Sequence, residues 1–282
     1  MIKRILVPLD ASPYAKNALN FACKIAQQLD SEITGLVILD LPGIEKSIGP
    51  IPAGGLYYAE QLEKTKTEEA KKQIDRIMDD FEKKCRDEGV RFAKSQQQGC
   101  PSENIVREAV YYDAVIIGMR TYFQFGAKDD SGDSLEEILD SCITPIYAVP
   151  KSFEIVNFPA MSMNVCIAFD GSLPAARAMQ RFTHLRLPDH LQVTVLNSNK
   201  NKDEAQYLLD RAESFLMGHG FRNIKKDWTN ESIIKAVENQ YLDKMDLFVV
   251  GANSKNDLLD FFLGSLTKTL IKKDKKPVLI GQ

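Results

Sequence analysis

Gly251-Ala252-Asn253-Ser254 and, after nine intervening residues, Gly264-Ser265 form the stretch of this chain best equipped for chemistry. The apolar run Asp246-Leu247-Phe248-Val249-Val250 leads into the first glycine and reads as a buried parallel strand. Gly264-Ser265-Leu266-Thr267-Lys268-Thr269-Leu270-Ile271 reads as a helix that opens on Gly-Ser. The first N–H groups of a helix have no intrahelical partner, and the helix dipole favours negative charge. Strand, loop and helix start together therefore describe an anion site. Glycine lets the backbone approach a phosphate where a Cβ would intervene, and the Ser265 hydroxyl adds a donor. No Gly-Lys-Ser/Thr follows, so this is not a Walker loop, and the spacing is not Gly-x-Gly-x-x-Gly. A turn followed by an ordinary helix start would use the same residues. An acidic residue upstream and a second copy of the whole arrangement favour the anion site.

The elements that must hold these residues alternate between strand and helix. Ile5 to Asp10 is an apolar strand ending in an acid, followed by the turn Ala11-Ser12-Pro13 and a helix over Tyr14 to Leu29. Glu32 to Asp40 is a second strand. Residues 41–58, with three prolines and several glycines, read as a loop. A long charged helix spans Ala59 to Glu88, a third strand Val90 to Gln98, and a helix Ile105 to Tyr111 after a capping turn at Gly99 to Ser102. Ala114 to Gly118 and Pro145 to Pro150 are the fourth and fifth strands, with a helix over Leu135 to Asp140 between them. Lys151 to Met163 has no period and reads as a linker. The pattern then restarts: Asn164 to Ser172 echoes Arg4 to Ser12. Strands follow at Leu191 to Asn197, Arg222 to Trp228, Leu247 to Gly251 and Pro277 to Ile280, and helices at Glu204 to Met217 and Ser232 to Asn239. Such alternation predicts an α/β fold: two tandem doubly wound domains, each a five-stranded mainly parallel sheet with helices on both faces. The expected boundaries are 1–150 and 164–282, joined by 151–163. Ligands in such sheets sit beyond the carboxyl ends of the strands, where Asp10, Asp170, Gly118 and Gly251 all fall.

Composition limits the alternatives. At 282 residues, 44% hydrophobic and 27% charged, the chain is that of a globular protein with room for a large core. A net charge of −3 argues against nucleic acid or a membrane surface as the main partner. The Lys272 to Lys276 cluster reads as a solvated helix end. Five scattered cysteines, Cys23, Cys85, Cys100, Cys142 and Cys166, suggest a reducing compartment. His184, His190 and His219 lack ligand spacing, and no metal site is assigned to them. Met1-Ile2-Lys3-Arg4 leads straight into a strand without a signal peptide, and the expected location is cytoplasmic.

Both halves resemble universal stress protein domains. The resemblance rests on Leu9-Asp10-Ala11-Ser12 and Phe169-Asp170-Gly171-Ser172, on Gly99-Cys100-Pro101, on the closing proline-led strands, and on a loop close to Gly-x2-Gly-x9-Gly-Ser/Thr. It implies an adenine nucleotide, ATP first, with or without Mg, in a family whose members either bind ATP or lack nucleotide. Carried over, Asp170 is the strand-one acid, flanked by Ala168 and Phe169, and Val195 is the adenine wall. Gly251, Ser254, Gly264, Ser265 and Thr267 form the phosphate loop. Ser254 stands where the family has glycine, and its Cβ restricts positive φ. The first half departs further. A weaker site there would use Asp10, Ile38, Gly118 and Gly132, but Thr121 replaces a glycine, Gly132-Asp133 is displaced by one residue, and Asp129, Asp130 and Asp133 would repel phosphate.

Ser12 and Ser172 read as helix caps rather than nucleophiles, since no histidine stands as a partner. Asp10 and Asp170 could cap the same helices, contact a ligand, or do both. The function expected is a stress-response protein that binds an adenine nucleotide in its second half and signals by occupancy, with no catalytic residues. The competing reading is a nucleotide-free tandem scaffold that meets an unknown protein partner through its surfaces; a slow ATP hydrolase ranks below both. The resemblance also implies that the fifth strands, Ile146 to Val149 and Val278 to Ile280, pair with each other. That pairing would make an intramolecular pseudo-dimer and leave other surfaces for homo-oligomer formation.

Overall fold

The apolar runs that end in Pro8, Gly118 and Gly251 become inner strands, flanked by helices on both faces. The computed structural model describes residues 1–120, 134–152, 163–185, 191–252 and 264–281. The first half contains β1 (Arg4–Pro8), α1 (Pro13–Leu29), β2 (Glu32–Leu39), α2 (Leu41–Ile48), α3 (Leu56–Asp87), β3 (Arg91–Gln98), α4 (Pro101–Ala109), β4 (Ala114–Gly118), α5 (Ser134–Ser141) and β5 (Ile146–Val149). The second contains β6 (Met163–Ala168), α6 (Leu173–Phe182), β7 (Leu191–Ser198), α7 (Lys202–Gly218), β8 (Ile224–Thr229), α8 (Ile233–Ala236), β9 (Leu247–Gly251), α9 (Ser265–Lys273) and β10 (Val278–Gly281).

The described strands form one ten-stranded sheet in the order β3-β2-β1-β4-β5-β10-β9-β6-β7-β8. Each half is parallel throughout, whereas β5 and β10 pair antiparallel, with Ile146 opposite Ile280, Tyr147 opposite Leu279 and Ala148 opposite Val278. The intramolecular pairing expected of the fifth strands is thus present. It removes two sheet edges at once. One face of the sheet packs against α1, α3, α6 and α7 through Phe21, Phe81, Phe182 and Leu209. The other packs against α4, α5, α8 and α9 through Ile105, Ile138, Ile233 and Leu270.

Residues 41–58 correct the sequence reading. Leu41 to Ile48 is helical, and α3 begins at Leu56 rather than Ala59. Asp40 caps α2, its Oδ1 accepting from the Gly43 N–H at 2.9 Å, and Pro42 sits in the first turn, where its missing N–H costs nothing. Gly49, at φ 75°, ends the helix. The proline and glycines that suggest a loop are the start and stop signals of a short helix. It is held by the buried side chain of Ile44. Likewise α4 starts at Pro101, four residues before the expected Ile105, because Pro101 opens the helix instead of preceding it. After α8 the helix widens into a π turn over Val237–Tyr241, closed by Leu242 N–H donating to the Val237 carbonyl at 2.8 Å.

Two side-chain groups fix how the parts sit together. Tyr147, 1% exposed at the strand junction, has its ring 6.0 Å from that of Phe21, and burial pushes its hydroxyl pKa upward. Glu88, at the C-cap of α3, accepts from Lys84 at 2.8 Å and from Lys24 of α1 at 3.0 Å. These two ammonium groups hold its carboxyl down at about 2.

Two outcomes are expected. Tyr147→Ala should lower unfolding free energy by about 3–5 kcal/mol, measured by urea denaturation, because it empties the junction of its largest side chain. Stability should also fall as pH drops from about 4.5 towards 2. The native carboxylate of Glu88 resists protonation there, while the unfolded one, with a pKa of about 4.3, takes up a proton. Partial solvent screening limits this contribution to below about 1 kcal/mol. Glu88→Gln should flatten that limb of the pH profile and leave the neutral region parallel to wild type.

Candidate functional site

The two strand-one acids build the same local turn. Asp10 Oδ1 accepts from the Ser12 N–H at 2.8 Å, and Asp170 Oδ1 from the Ser172 N–H at 2.9 Å. Ser12 then caps α1 by accepting from Ala15, and Ser172 caps α6 by accepting from Ala175. The serines are caps, as their positions suggested. The acids shape the turn before each helix. Asp10 is 5% exposed, whereas Asp170 is half-buried, and its Oδ2 has no hydrogen bond among the described residues.

Asp170 opens onto a cavity of about 580 Å³ at the carboxyl edge of the second half. Ala168, Phe169, Gly251, Gly264, Ser265 and Thr267, all named by the sequence, line it. The ends of β6, β7 and β9 and the start of α9 bring them together. Gly264 N–H is not available to a ligand, because it donates to the Ala252 carbonyl at 2.6 Å and so ties the start of α9 to the end of β9. The next three amides, of Ser265, Leu266 and Thr267, form the first turn of α9 and have no partner among the described residues. Gly264 supplies no side-chain cap. The open donors of the anion site are therefore these three N–H groups and the exposed Ser265 hydroxyl. Thr267 is 1% exposed and donates its hydroxyl to the Gly251 carbonyl at 3.1 Å, which ties the helix start to the strand end.

Val195 is not part of this wall. It is fully buried in the core on the α6/α7 side. Its neighbour Leu196 points to the opposite face and lines the cavity with Ile233 and Val250. A one-residue error on a strand selects the wrong face. Sequence reasoning also missed Asn197, Ser198, Asn199 and Lys200, which continue β7 along the cavity rim. The fact that ligands lie beyond strand ends pointed to this segment, but nothing in its composition did.

The strand-end glycines turn out to serve packing. A Cβ on Gly251 would lie 2.7 Å from the Pro174 carbonyl carbon and the Ala175 nitrogen of α6. On Gly118 it would lie 2.5 Å from Cβ of Tyr14 in α1. Each glycine lets the first helix of its half cross directly over the fourth strand. In the first half, Ile38 is fully buried in the core and Gly118 is buried under α1. The cavity that touches Asp10 there lies between α1 and α3, and neither Ile38 nor Gly118 lines it. Ser254, Thr121, Asp129, Asp130, Gly132, Asp133 and His190 lie outside the described residues, as do positions 153–162 of the expected linker.

No group of histidine, cysteine and carboxylate side chains suited to a metal ion occurs among the described residues. No described helix is long and apolar enough to cross a membrane. The fold and crevice define a tandem, doubly wound α/β protein whose two halves join through their last strands. Residues 1–123 match the model of the universal stress protein family. The whole chain is similar to the universal stress protein Slr1230 of Synechocystis sp., with 23% identity over 302 aligned residues and 99% of each protein covered. Universal stress protein MJ0577 of Methanocaldococcus jannaschii is 32% identical over 85 residues, 29% of this chain and 51% of that one. The crystal structure of a universal stress protein from Archaeoglobus fulgidus superposes with a TM-score of 0.68 at 16% identity, covering 99% of this chain and 96% of that one. The first half of the chain thus matches the universal stress protein family, and the whole chain is similar to a member of it.

The glycine geometry has a direct consequence for stability. Gly251→Ala should destabilise the unliganded protein by about 1–3 kcal/mol, since backbone atoms of α6 must move aside. Gly264 has φ −56° and ψ 145°, which any residue adopts, so Gly264→Ala should leave the melting temperature within a degree or two of wild type. Thermal unfolding without ligand separates the two. A Gly251→Ala protein as stable as wild type would contradict the packing role.

Proposed function

We propose that the chain binds an adenine nucleotide, ATP foremost, in the second-half cavity, and that occupancy of this cavity is its signal in a cytoplasmic stress response. On this reading, residues 1–150 and 164–282 are two domains joined by 151–163, and only the second keeps a usable nucleotide loop. The observation that carries it is the polarity of the cavity. At one end stand three N–H groups without a partner among the described residues and a hydroxyl at a helix start. At the other stand the Asp170 carboxylate and the apolar side chain of Leu196. Donors suit phosphates; an acceptor beside an apolar wall suits a base and sugar that carry N–H and O–H groups. The volume is within the usual range for small-molecule sites. Any Mg would arrive bound to the phosphates.

The arrangement orients the ligand. An ionised Asp170 accepts hydrogen bonds and repels phosphate, so base and ribose face Asp170 and the phosphates face Ser265. Asp170→Ala should weaken ATP by about 1.5–3 kcal/mol if the charge-assisted bond is made. Ser265→Ala should cost less, about 0.5–1.5 kcal/mol, because the amides remain. With adenosine the Ser265 penalty should shrink while the Asp170 penalty persists. Calorimetry of the two variants against both ligands tests this. Equal Ser265 penalties for ATP and adenosine would reverse the orientation. A folded wild-type protein that binds neither ligand would leave the nucleotide-free scaffold as the function.

A further inference from the structure

Buried polar side chains in folded proteins almost always have hydrogen-bond partners, and each exception needs a cause. Among the described residues only two buried side-chain atoms lack one: Thr34 Oγ1 and Asn197 Oδ1. Thr34 lies within β2, paired with β1 and β3 on either side, and away from the cavities described here. Asn197 is different. It is 2% exposed and sits in the wall of the second-half cavity, next to Leu196 and facing the Phe169–Asp170 strand end. Its amide orientation is not free. Nδ2 donates to the Phe169 carbonyl at 2.7 Å, a bond that only the NH2 group can make. Oδ1 is therefore the atom left over, a fixed acceptor with nothing to accept.

We propose that Asn197 is a specificity-determining residue of this cavity, whose Oδ1 accepts a hydrogen bond from an N–H or O–H group of the bound ligand. This rests on the nucleotide reading above and extends it. An adenine nucleotide offers two such donors: the exocyclic amino group of the base and the hydroxyls of the ribose. Both are uncharged, as suits a neutral amide oxygen. Phosphate offers none at neutral pH, so the assignment also keeps phosphates at the α9 end. A ligand that places an oxygen acceptor against Oδ1 would leave two buried acceptors facing each other, and this is where discrimination arises. Asp170 Oδ2 is the other acceptor in the same wall; an amide does not titrate.

The test is calorimetry of the full chain against ATP, inosine triphosphate, 2′-deoxyATP and 3′-deoxyATP. Inosine triphosphate replaces the amino group with a keto oxygen, and the deoxy compounds each delete one hydroxyl. Wild type should bind one of the three analogues about five- to hundredfold more weakly than ATP, and the analogue identifies the donor. Asn197→Ala should bring that one ratio close to one while the other ratios stay as they were. A general packing defect would weaken all four ligands alike and leave the ratios untouched. The wild-type ratio should be flat from about pH 5 to pH 9. Four results overturn the proposal: wild type binding all analogues as well as ATP, a ratio that survives in Asn197→Ala, a ratio that changes with pH across that range and so does not belong to an amide, or a chain that binds no ATP. Only the last also removes the nucleotide reading. If Asn197→Ala does not fold, the wild-type ratios and their pH dependence still decide.

Discussion

The rest of the structure depends on a short ladder between two strands that run in opposite directions. Ile146, Tyr147 and Ala148 pair with Ile280, Leu279 and Val278, and all six are 1% exposed or less. Every other pairing in the sheet is parallel, so this one reversal sets the geometry of the whole molecule. Strand carboxyl ends in the two halves point to opposite edges of the sheet. Asp10 and Asp170, equivalent in sequence and in hydrogen bonding, thus stand at opposite edges of one continuous sheet. A ligand at one cannot touch the other. Anything that couples them must pass through the junction, where Tyr147 and Leu279 share the core with α1 and α6.

A second constraint is the close crossing of α1 over β4 and of α6 over β9. It explains why a glycine ends each fourth strand whether or not a site follows. Gly118 and Gly251 face the same demand, and Gly251 also opens onto a cavity shared with the acid of its own half. A glycine at this position is therefore evidence for the fold and says little about ligand. The ligand evidence comes from what the loop returns to: an uncapped helix start held against the strand by Thr267 and by the Gly264 amide.

Much of the fold was legible because parallel strands covered on both faces are written as unbroken apolar runs. Ala114 to Gly118 and Leu247 to Gly251 have the same bounds in sequence and structure. The repeat of Asp-x-Ser was equally visible, since a turn that caps a helix needs those residue types at that spacing. What failed was local signals with two meanings. Pro42 and Gly49 mark the ends of α2 as readily as they mark a loop, and only the burial of Ile44 decides between them. Val195 falls on the wrong side because a strand covered on both faces gives no alternation from which to tell its sides. Asn197 was invisible for a further reason. An asparagine in a strand gives no sign that one end of its amide will be satisfied by the chain and the other will not.

The cavity can then be understood as a sorting of donors from acceptors along one direction. The sequence of β9, loop and α9 places amides at one end because a helix must start somewhere and this one starts without a side-chain cap. The ends of β6 and β7 place acceptors at the other, because the turn into α6 needs an aspartate and the amide of Asn197 is pinned by the Phe169 carbonyl. Neither end requires the other for folding, since each arises from a local demand of its own element. The sheet register brings them together: Ile167 pairs with Val195 on one side and Val249 on the other, so β9 runs one residue and β7 two residues past the end of β6. A shift of one residue in either ladder would turn Leu196 or Val250 away from the cavity and break the apolar wall between the two polar ends. The apolar wall of this cavity thus depends on strand register, which β10 also holds in place for β9.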